Sequence, residues 1–323
     1  MSSSAVFSVA VIELYPKGDN MKFLKYYIVL VIIMFMWGFN VPIVKMIVES
    51  VSPVTITSLR IFVAGVSVFV ILSFLKIVRL PTRREWTFIM LGTVMNVVCH
   101  HFFLAVGLER TTSSNAGIIL GTGPILTVII ATIVLRQRST VWKWLGFLLG
   151  STGVTVTVLV GGNGVAGMSI GDLYIFLSIF TQAFSFIVIS KAAKSLDPRL
   201  LTGYMLVIGS IVLFLISLVL EPGGLKSLAG ASTDIWLLFF ASAILATAIG
   251  HMTYNFTIGK IGPSEASIFL NLPPVFTLVG SALMLGETIT IAHMIGLLFI
   301  VSGVILVVVL PERLKTGRVI QAK

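Results

Sequence analysis

The sequence predicts an all-α integral membrane protein: ten transmembrane helices in two inverted five-helix repeats, with both termini cytoplasmic. Three observations predict it. The 323 residues are 57% hydrophobic and only 11% charged, with mean hydropathy +1.09, too little charge to cover a soluble protein of this length. The apolar residues fall in runs long enough to cross a bilayer, which takes roughly 20 residues. Residues 113–154, moved forward by 150 positions, fall without a gap on 263–304, and 12 of those 42 positions are identical.

The spans are expected at 23–46, 54–77, 86–107, 113–135, 142–160, 171–190, 200–220, 235–257, 263–285 and 291–310. Lipid offers no hydrogen-bond partner to a bare backbone, so segments of this length must be helices. Residues 1–20 read as a disordered or non-native N-terminal extension, because Pro16-Lys17-Gly18-Asp19-Asn20 breaks the chain and Met21-Lys22 makes a natural start. No basic segment precedes their short apolar stretch, which argues against a cleaved signal peptide. A first repeat then covers 21–160, a second covers 161–310, and 311–323 forms a basic cytoplasmic tail. Gly161-Gly162-Asn163-Gly164 is the link between the repeats. It lacks the Lys-Ser/Thr ending of a phosphate loop.

The repeat carries more than apolar matches. Ser114/Ser264, Ala116/Ala266, Pro124/Pro274, Thr127/Thr277, Thr140/Thr290, Gly146/Gly296 and Gly153/Gly303 all coincide, and His101/His251 keeps the same offset. Five spans per half is an odd number, so the second half enters from the opposite side. Such inverted repeats typify secondary transporters, whose substrate site lies near the bilayer midplane between the halves.

Charge fixes the orientation. With ten spans, 18 Lys and Arg residues fall on the side that holds both termini. Only Lys45, Arg110 and Lys226 fall on the other, and Arg60 sits inside a span. The positive-inside rule places the termini in the cytoplasm. The net charge of +10 is therefore a topology signal and does not indicate nucleic-acid binding. A single cysteine, Cys99, rules out an internal disulfide framework and a multi-cysteine metal cage. No metal, cofactor or nucleotide site is expected, and the absence of a Walker pair excludes an ATP-driven pump within the chain.

Polar groups inside a membrane are costly and mark function by default. Asn96 and His100 stand four apart on one face of the third span, with His101 beside them. His251 and Asn255 stand four apart in the eighth, with Tyr254 between. In the first span Trp37 and Asn40 precede Pro42; in the sixth, Gln182, Ser185 and Phe186 lie at comparable depth. Each has two readings: contact with substrate, or hydrogen bonding and packing that hold helices together. The fourth and ninth spans are interrupted at matching points, Gly121-Thr122-Gly123-Pro124 opposite Asn271-Leu272-Pro273-Pro274. Proline frees a carbonyl inside a helix, and paired interruptions point to a transport site. Arg60 lies about six residues into its span, on the order of 9 Å from the outer end. It either serves structure, by snorkelling outward, or binds a carboxylate of protein or substrate. Glu287, like the other acids, is placed near a span end, and no carboxylate is at mid-membrane. Two histidines without a carboxylate are too few for a metal.

Taken together, these features resemble the EamA-type ten-helix permeases of the drug/metabolite transporter superfamily. The carriers are Trp37-Gly38-Phe39-Asn40, Ser52-Pro53 with Leu59-Arg60, Pro124-Ile125-Leu126-Thr127, Pro274-Val275-Phe276-Thr277 ending in Gly286-Glu287, and the glycines 146, 153, 296 and 303. The resemblance spans residues 23–310. It implies a central cavity lined by helices 1, 3, 4, 6, 8 and 9, and transport of amino acids, nucleotide sugars and other small metabolites across bacterial plasma or organelle membranes. It places Trp37, Asn96, His100, Gln182, Tyr254 and Asn271 on cavity helices. One departure stands out: where the family often ends its fourth helix in Gly-Glu, this chain has Arg136-Gln137.

The expected function is a secondary transporter in the plasma membrane, by resemblance the bacterial inner membrane. It exports a small polar or amphipathic metabolite such as an amino acid by alternating access, with the lipid bilayer as its surroundings. Histidines bind a carboxylate or carry a coupled proton. The alternatives are a facilitative importer, a scaffold, receptor or lipid scramblase, and an intramembrane enzyme. The last requires a nucleophile–base pair or metal cluster, which no motif supplies.

Overall fold

A computed structural model describes residues 20–134, 141–160, 169–304 and 306. Residues 1–19 of the expected extension, the link at 161–164, Arg136-Gln137 and the basic tail lie outside the described residues, whereas Asn20, the last residue of that extension, begins a helix. Among these residues every regular element is helical and none is a strand. We label the helices in chain order: α1 Asn20–Ser50, α2 Pro53–Phe74, α3 Arg83–Arg110, α4 in two pieces (Ser113–Leu120 and Gly123–Val134), α5 Val141–Val160, α6 Ile170–Ala192, α7 Pro198–Leu220, α8 Thr233–Ile261, α9 in two pieces (Pro263–Ile268 and Pro273–Leu285) and α10 Ile291–Val304. Seven helical stretches are long and apolar enough to cross a membrane, and shorter apolar helices cover 269–285 and 291–303. Their outward faces suit lipid: Val219, Leu237, Leu283 and Leu298 are between 64% and 76% exposed, where a soluble protein would present charge.

Caps explain where helices begin. Thr82 and Glu85 form a reciprocal capping box at the start of α3, and Ser169 and Asp172 form one at α6. Asp197-Pro198 opens α7. The box at α3 starts that helix at Arg83, three residues before hydropathy alone would place it, because the first turn holds Arg83, Arg84 and Glu85.

Helices pair across the two halves of the sequence: α2 with α7, α5 with α10, α3 with α6, and α1 with α9. Glycine sets the closest of these approaches. A Cβ on Gly153 would stand 2.7 Å from the carbonyl oxygen of Gly296, and one on Gly303 would stand 2.6 Å from that of Gly146. The seam between α5 and α10 is thus backbone on backbone, a small-residue packing mode that suits helices in lipid. The α4 and α9 interruptions meet in space, since a Cβ on Gly121 would lie 2.7 Å from Cγ of Pro274.

Two carboxylates tie the halves together at one end of the bundle. Glu221, just after α7, accepts from the backbone N–H of Val54 and Thr55 (2.8 Å each) and from the Thr55 hydroxyl (2.7 Å) at the start of α2. Glu287, just after α9, accepts from the N–H of Ser113 and Ser114 (2.9 Å each) and from the Ser114 hydroxyl (2.6 Å) at the start of α4. Each satisfies first-turn donors that no helical carbonyl can reach and places negative charge at the positive end of a helix. Gly286, at φ +66° in the left-handed region, makes the turn that presents Glu287.

Glu287→Ala and Glu221→Ala should each destabilise the detergent-purified protein by about 1–3 kcal/mol, because buried donors are left without acceptors. Glu287→Gln, which keeps one acceptor oxygen, should lose less. Thermal unfolding of the three variants checks this ordering, and equal losses for Ala and Gln would contradict the clamp.

Candidate functional site

The candidate site is built on irregular turns in two helices. Residues Thr93–Cys99 of α3 and Ser242–His251 of α8 are π-helical, with hydrogen bonds one residue longer than in an α-helix. The two stretches overlap under the 150-residue offset. A π turn inserts an extra residue into the helical repeat, rotates the next turn about the axis and often marks a functional position. Here it leads into His100 and His101 in α3 and ends on His251 in α8. Within α8 the wider turn leaves carbonyls available to side chains: Ala246 accepts from Trp37 Nε1 at 2.9 Å, and Ser242 accepts from the Thr247 hydroxyl at 2.9 Å.

The three histidines gather in one place. Ring centroids are 4.7 Å apart for His100 and His101, 5.5 Å for His101 and His251, and 6.4 Å for His100 and His251. The Trp37 ring lies 4.9 Å from His251 and 5.0 Å from Tyr254, and Tyr254 lies 5.3 Å from Phe186. The result is a continuous wall of rings from α1, α3, α6 and α8. Gly250 makes room for it, since a Cβ there would come within 2.6 Å of Trp37 Nε1.

His100 is anchored. Its Nδ1 meets the Ser178 carbonyl at 3.1 Å and the Ser178 hydroxyl at 2.8 Å; its Nε2 meets the Gln182 amide at 2.9 Å. The Ser178 hydroxyl donates to the His100 carbonyl at 2.9 Å. A set of roles that satisfies these atoms has Nδ1–H donating to Ser178 and Nε2 accepting from Gln182. One turn away, Asn96 donates to the Ser185 hydroxyl at 2.7 Å. Asn96, His100, Ser178, Gln182 and Ser185 therefore form one polar seam between α3 and α6. His101 differs: it is 3% exposed, and neither ring nitrogen has a partner. His251 Nδ1 and the Tyr254 hydroxyl are likewise buried without partners. Unsatisfied buried polar atoms cost about 1–3 kcal/mol each; Thr57, Thr93 and Asn255 carry others, but the four on His101, His251 and Tyr254 belong to neighbouring rings, which makes this cluster the candidate place for a ligand.

The remaining candidates are spread out. Asn255 is fully buried and donates to the Thr202 hydroxyl of α7 at 2.9 Å, and its Oδ1 has no partner. Asn40 lies half-buried on α1 with its Oδ1 unpartnered, and Asn271 sits half-buried at the α9 interruption beside Pro273 and Pro274. Gly123 and Pro124 begin the second part of α4, where Gly123 faces Ile179 of α6 and Leu270 of α9. Three contributors escaped sequence reasoning. Ser178 lies one turn before Gln182, so the 3–4 spacing of Ser178, Gln182, Ser185 and Phe186 is a readable stripe. Ser242 and Thr247 carry no sequence signal beyond Thr247 standing four residues before His251. His293 is buried as well, but it is satisfied: it accepts from the Thr290 N–H and meets Asn115 Oδ1 at 3.0 Å.

Two clefts of about 760 Å³ each open at the end of the bundle that holds the Glu221 and Glu287 clamps. Lys45, Asn115, Asp172 and Glu287 line one, Tyr174 and Glu221 line the other, and both share Glu109 and Arg110. No residue of the histidine cluster lines either. Among the described residues no group of three His, Cys, Asp or Glu side chains is arranged to hold a metal ion.

The EamA-like transporter family matches residues 24–159 and again 169–309. The chain belongs to this family. Similar proteins include the uncharacterized transporter YyaM of Bacillus subtilis, 28% identical over 290 residues and covering 88% of this chain and 94% of the relative. An uncharacterized transporter of Archaeoglobus fulgidus is 27% identical over 293 residues, 88% of this chain and 99% of the relative. A crystal structure with a TM-score of 0.65 and 17% identity covers 88% of this chain and 97% of its own, and shares the fold. The EamA-like chain is thus a multi-pass membrane protein of a transporter family.

The two neighbouring histidines should respond differently to truncation. His100→Ala strands Ser178 and Gln182 and should cost about 1–3 kcal/mol, lowering the unfolding temperature clearly. His101→Ala removes a ring whose nitrogens bond to nothing and should cost less. Parallel thermal unfolding of both variants decides it; a larger loss for His101→Ala would mean that its nitrogens are engaged.

Proposed function

We propose that this EamA-like protein is a secondary transporter that moves a small metabolite, such as an amino acid, by alternating access through the histidine cluster. The reading takes the chain as ten spans in two inverted halves, 21–160 and 161–310. Both termini are cytoplasmic, the membrane is a bacterial plasma membrane, and the direction is export. One observation carries it: the buried, unpartnered atoms of His101, His251 and Tyr254 converge where π turns interrupt α3 and α8. Irregular backbone deep in a bundle is tolerated where it lines a site.

In this reading the ring wall of Trp37, Phe186 and Tyr254 packs the apolar part of the substrate, and Asn96 and Gln182 exchange their helix–helix hydrogen bonds for bonds to it. The clamps at Glu221 and Glu287 close the outer end. Releasing them, while the cytoplasmic end shuts, turns the site outward. The interruptions of α4 and α9 provide the hinge. His101 and His251, with open ring nitrogens, are the groups available to bind substrate or carry a proton.

Uptake into proteoliposomes holding the purified protein tests the reading. A panel of labelled amino acids and other metabolites should show flux above that of empty vesicles, and the double variant His101→Ala/His251→Ala should reduce it at least about 10-fold, the equivalent of roughly 1.4 kcal/mol of lost transition-state stabilisation. Flux that persists without a pH gradient makes the protein facilitative; flux that needs the gradient assigns the proton to the histidines. A folded, reconstituted protein that moves none of the panel would count against transport.

A further inference from the structure

The transport cycle leaves one intramembrane charge unused. Arg60 of α2 is 2% exposed, the largest fully buried side chain in the structure, so it does not snorkel to either surface. Its two hydrogen bonds both leave from Nη1, to the Ser242 hydroxyl at 3.1 Å and the Thr247 hydroxyl at 2.8 Å. Among the described residues it makes no ion pair. The acids that are buried or partly buried are already committed: Glu85 to Arg79, Asp172 to Thr111 and Ser169, Glu221 and Glu287 to helix starts. A buried guanidinium without a counter-ion costs several kcal/mol, and inside a bilayer it is a functional group whose partner must be named.

The free edge of the guanidinium defines that partner. With Nη1 held by two hydroxyls, Nε–H and Nη2–H remain as a parallel pair of donors, the fork that matches the two oxygens of a carboxylate. Thr247 and His251 are four apart on α8, so the anchored guanidinium and the histidine cluster lie on the same helical face. Thr247, which holds Arg60, stands one turn before His251, whose ring lies 5.5 Å from His101 and 6.4 Å from His100. The one N–H of the neutral His101 ring and the Tyr254 hydroxyl add donors, and no acid of the described residues hydrogen-bonds to these groups.

We infer that the transported metabolite carries a carboxylate that binds Arg60, with Ser242 and Thr247 holding the guanidinium so that its Nε–Nη2 edge faces the histidine cluster. This inference rests on the transport reading and names the substrate class for it: a small carboxylate, recognised by its anionic group, with the Trp37–Phe186–Tyr254 wall taking the rest.

Binding and flux are measured separately on the full-length protein. Intrinsic tryptophan fluorescence is titrated at constant ionic strength with acetate, benzoate and L-leucine, and in parallel with acetamide, L-leucine methyl ester and inorganic phosphate. At least one carboxylate should bind saturably, with the amide, ester and phosphate at least 10-fold weaker. Arg60→Gln should weaken that carboxylate about 10- to 100-fold, the range for a lost hydrogen-bonded charge. Arg60→Lys, which keeps the charge but loses the fork, should fall between, and it serves if the Gln variant does not fold. Ester or amide binding as tight as the acid, phosphate binding in place of carboxylates, no carboxylate binding, or an Arg60→Gln affinity equal to wild type would each overturn the assignment. Flux of a neutral metabolite that is indifferent to Arg60→Gln overturns the carboxylate site and leaves transport standing. Carboxylate binding with no flux of any compound keeps the site and ends the transport reading.

Discussion

A polar atom sealed among helices in a membrane has only the protein, or a ligand, to bond to. The rest of this structure depends on that constraint. Serine and threonine hydroxyls return to carbonyls three or four residues back, as in Thr127 to Gly123 and Ser281 to Thr277. Amides cross between helices, as in Asn96 to Ser185 and Asn255 to Thr202. Helix starts borrow carboxylates from the opposite half. Against this background, the exceptions carry information. His101 has two open nitrogens, His251 one, Tyr254 an open hydroxyl, and Arg60 an uncompensated charge. Single hydroxyl or amide oxygens of Thr57, Thr93 and Asn255 are also unpartnered, but these four residues stand on neighbouring parts of α2, α3 and α8 and include the aromatic and cationic groups.

The same constraint is visible where the backbone departs from α-helical geometry in α8. In the π turn the Ala246 carbonyl accepts from the indole of Trp37, whose ring stands tilted at 43° to His251 and 52° to Tyr254. A single loosened turn thus positions a ring from α1 and re-aims the histidine at its end. Gly250 completes the device by leaving no Cβ where the indole nitrogen sits. Irregularity in the chain and order in the side chains are two aspects of one arrangement.

Much of this was legible in the sequence. Apolar run length gave the helices to within a few residues of their caps. The 150-residue offset singled out His101 and His251, whose rings stand 5.5 Å apart, and the spacing of Asn96 and His100 placed both on the face that meets α6. The features that escaped have a common cause: they depend on partners distant in the chain. Nothing in Thr93–Cys99 marks it as π-helical, for it holds neither Pro nor Gly. Asn255 looks like a neighbour of His251 by spacing, yet its amide bonds to Thr202 of α7. Arg60 read locally is six residues from a span end and free to reach water; only the tertiary fold shows two hydroxyls of α8 holding its Nη1. Glu221 carried no motif at all, although it does for α2 what Glu287 does for α4.

The two clamps also bear on how a tightly built bundle can move. Both lie at the same end, both bridge the halves, and each uses three hydrogen bonds to one carboxylate. In water the freed carboxylate and helix start would be rehydrated, so the net cost of opening is about 1 kcal/mol per bond and less than the sum of the bonds in isolation. That is several kcal/mol for the pair, the scale that separates conformations populated to different extents and reached on microsecond to millisecond times. The glycine seam between α5 and α10, by contrast, brings backbone against backbone and gains nothing from water when parted. Rearrangement is therefore easier at the polar clamps than along the seam. The rocking proposed for transport would, on this distribution of contacts, turn about α5 and α10 and open at Glu221 and Glu287.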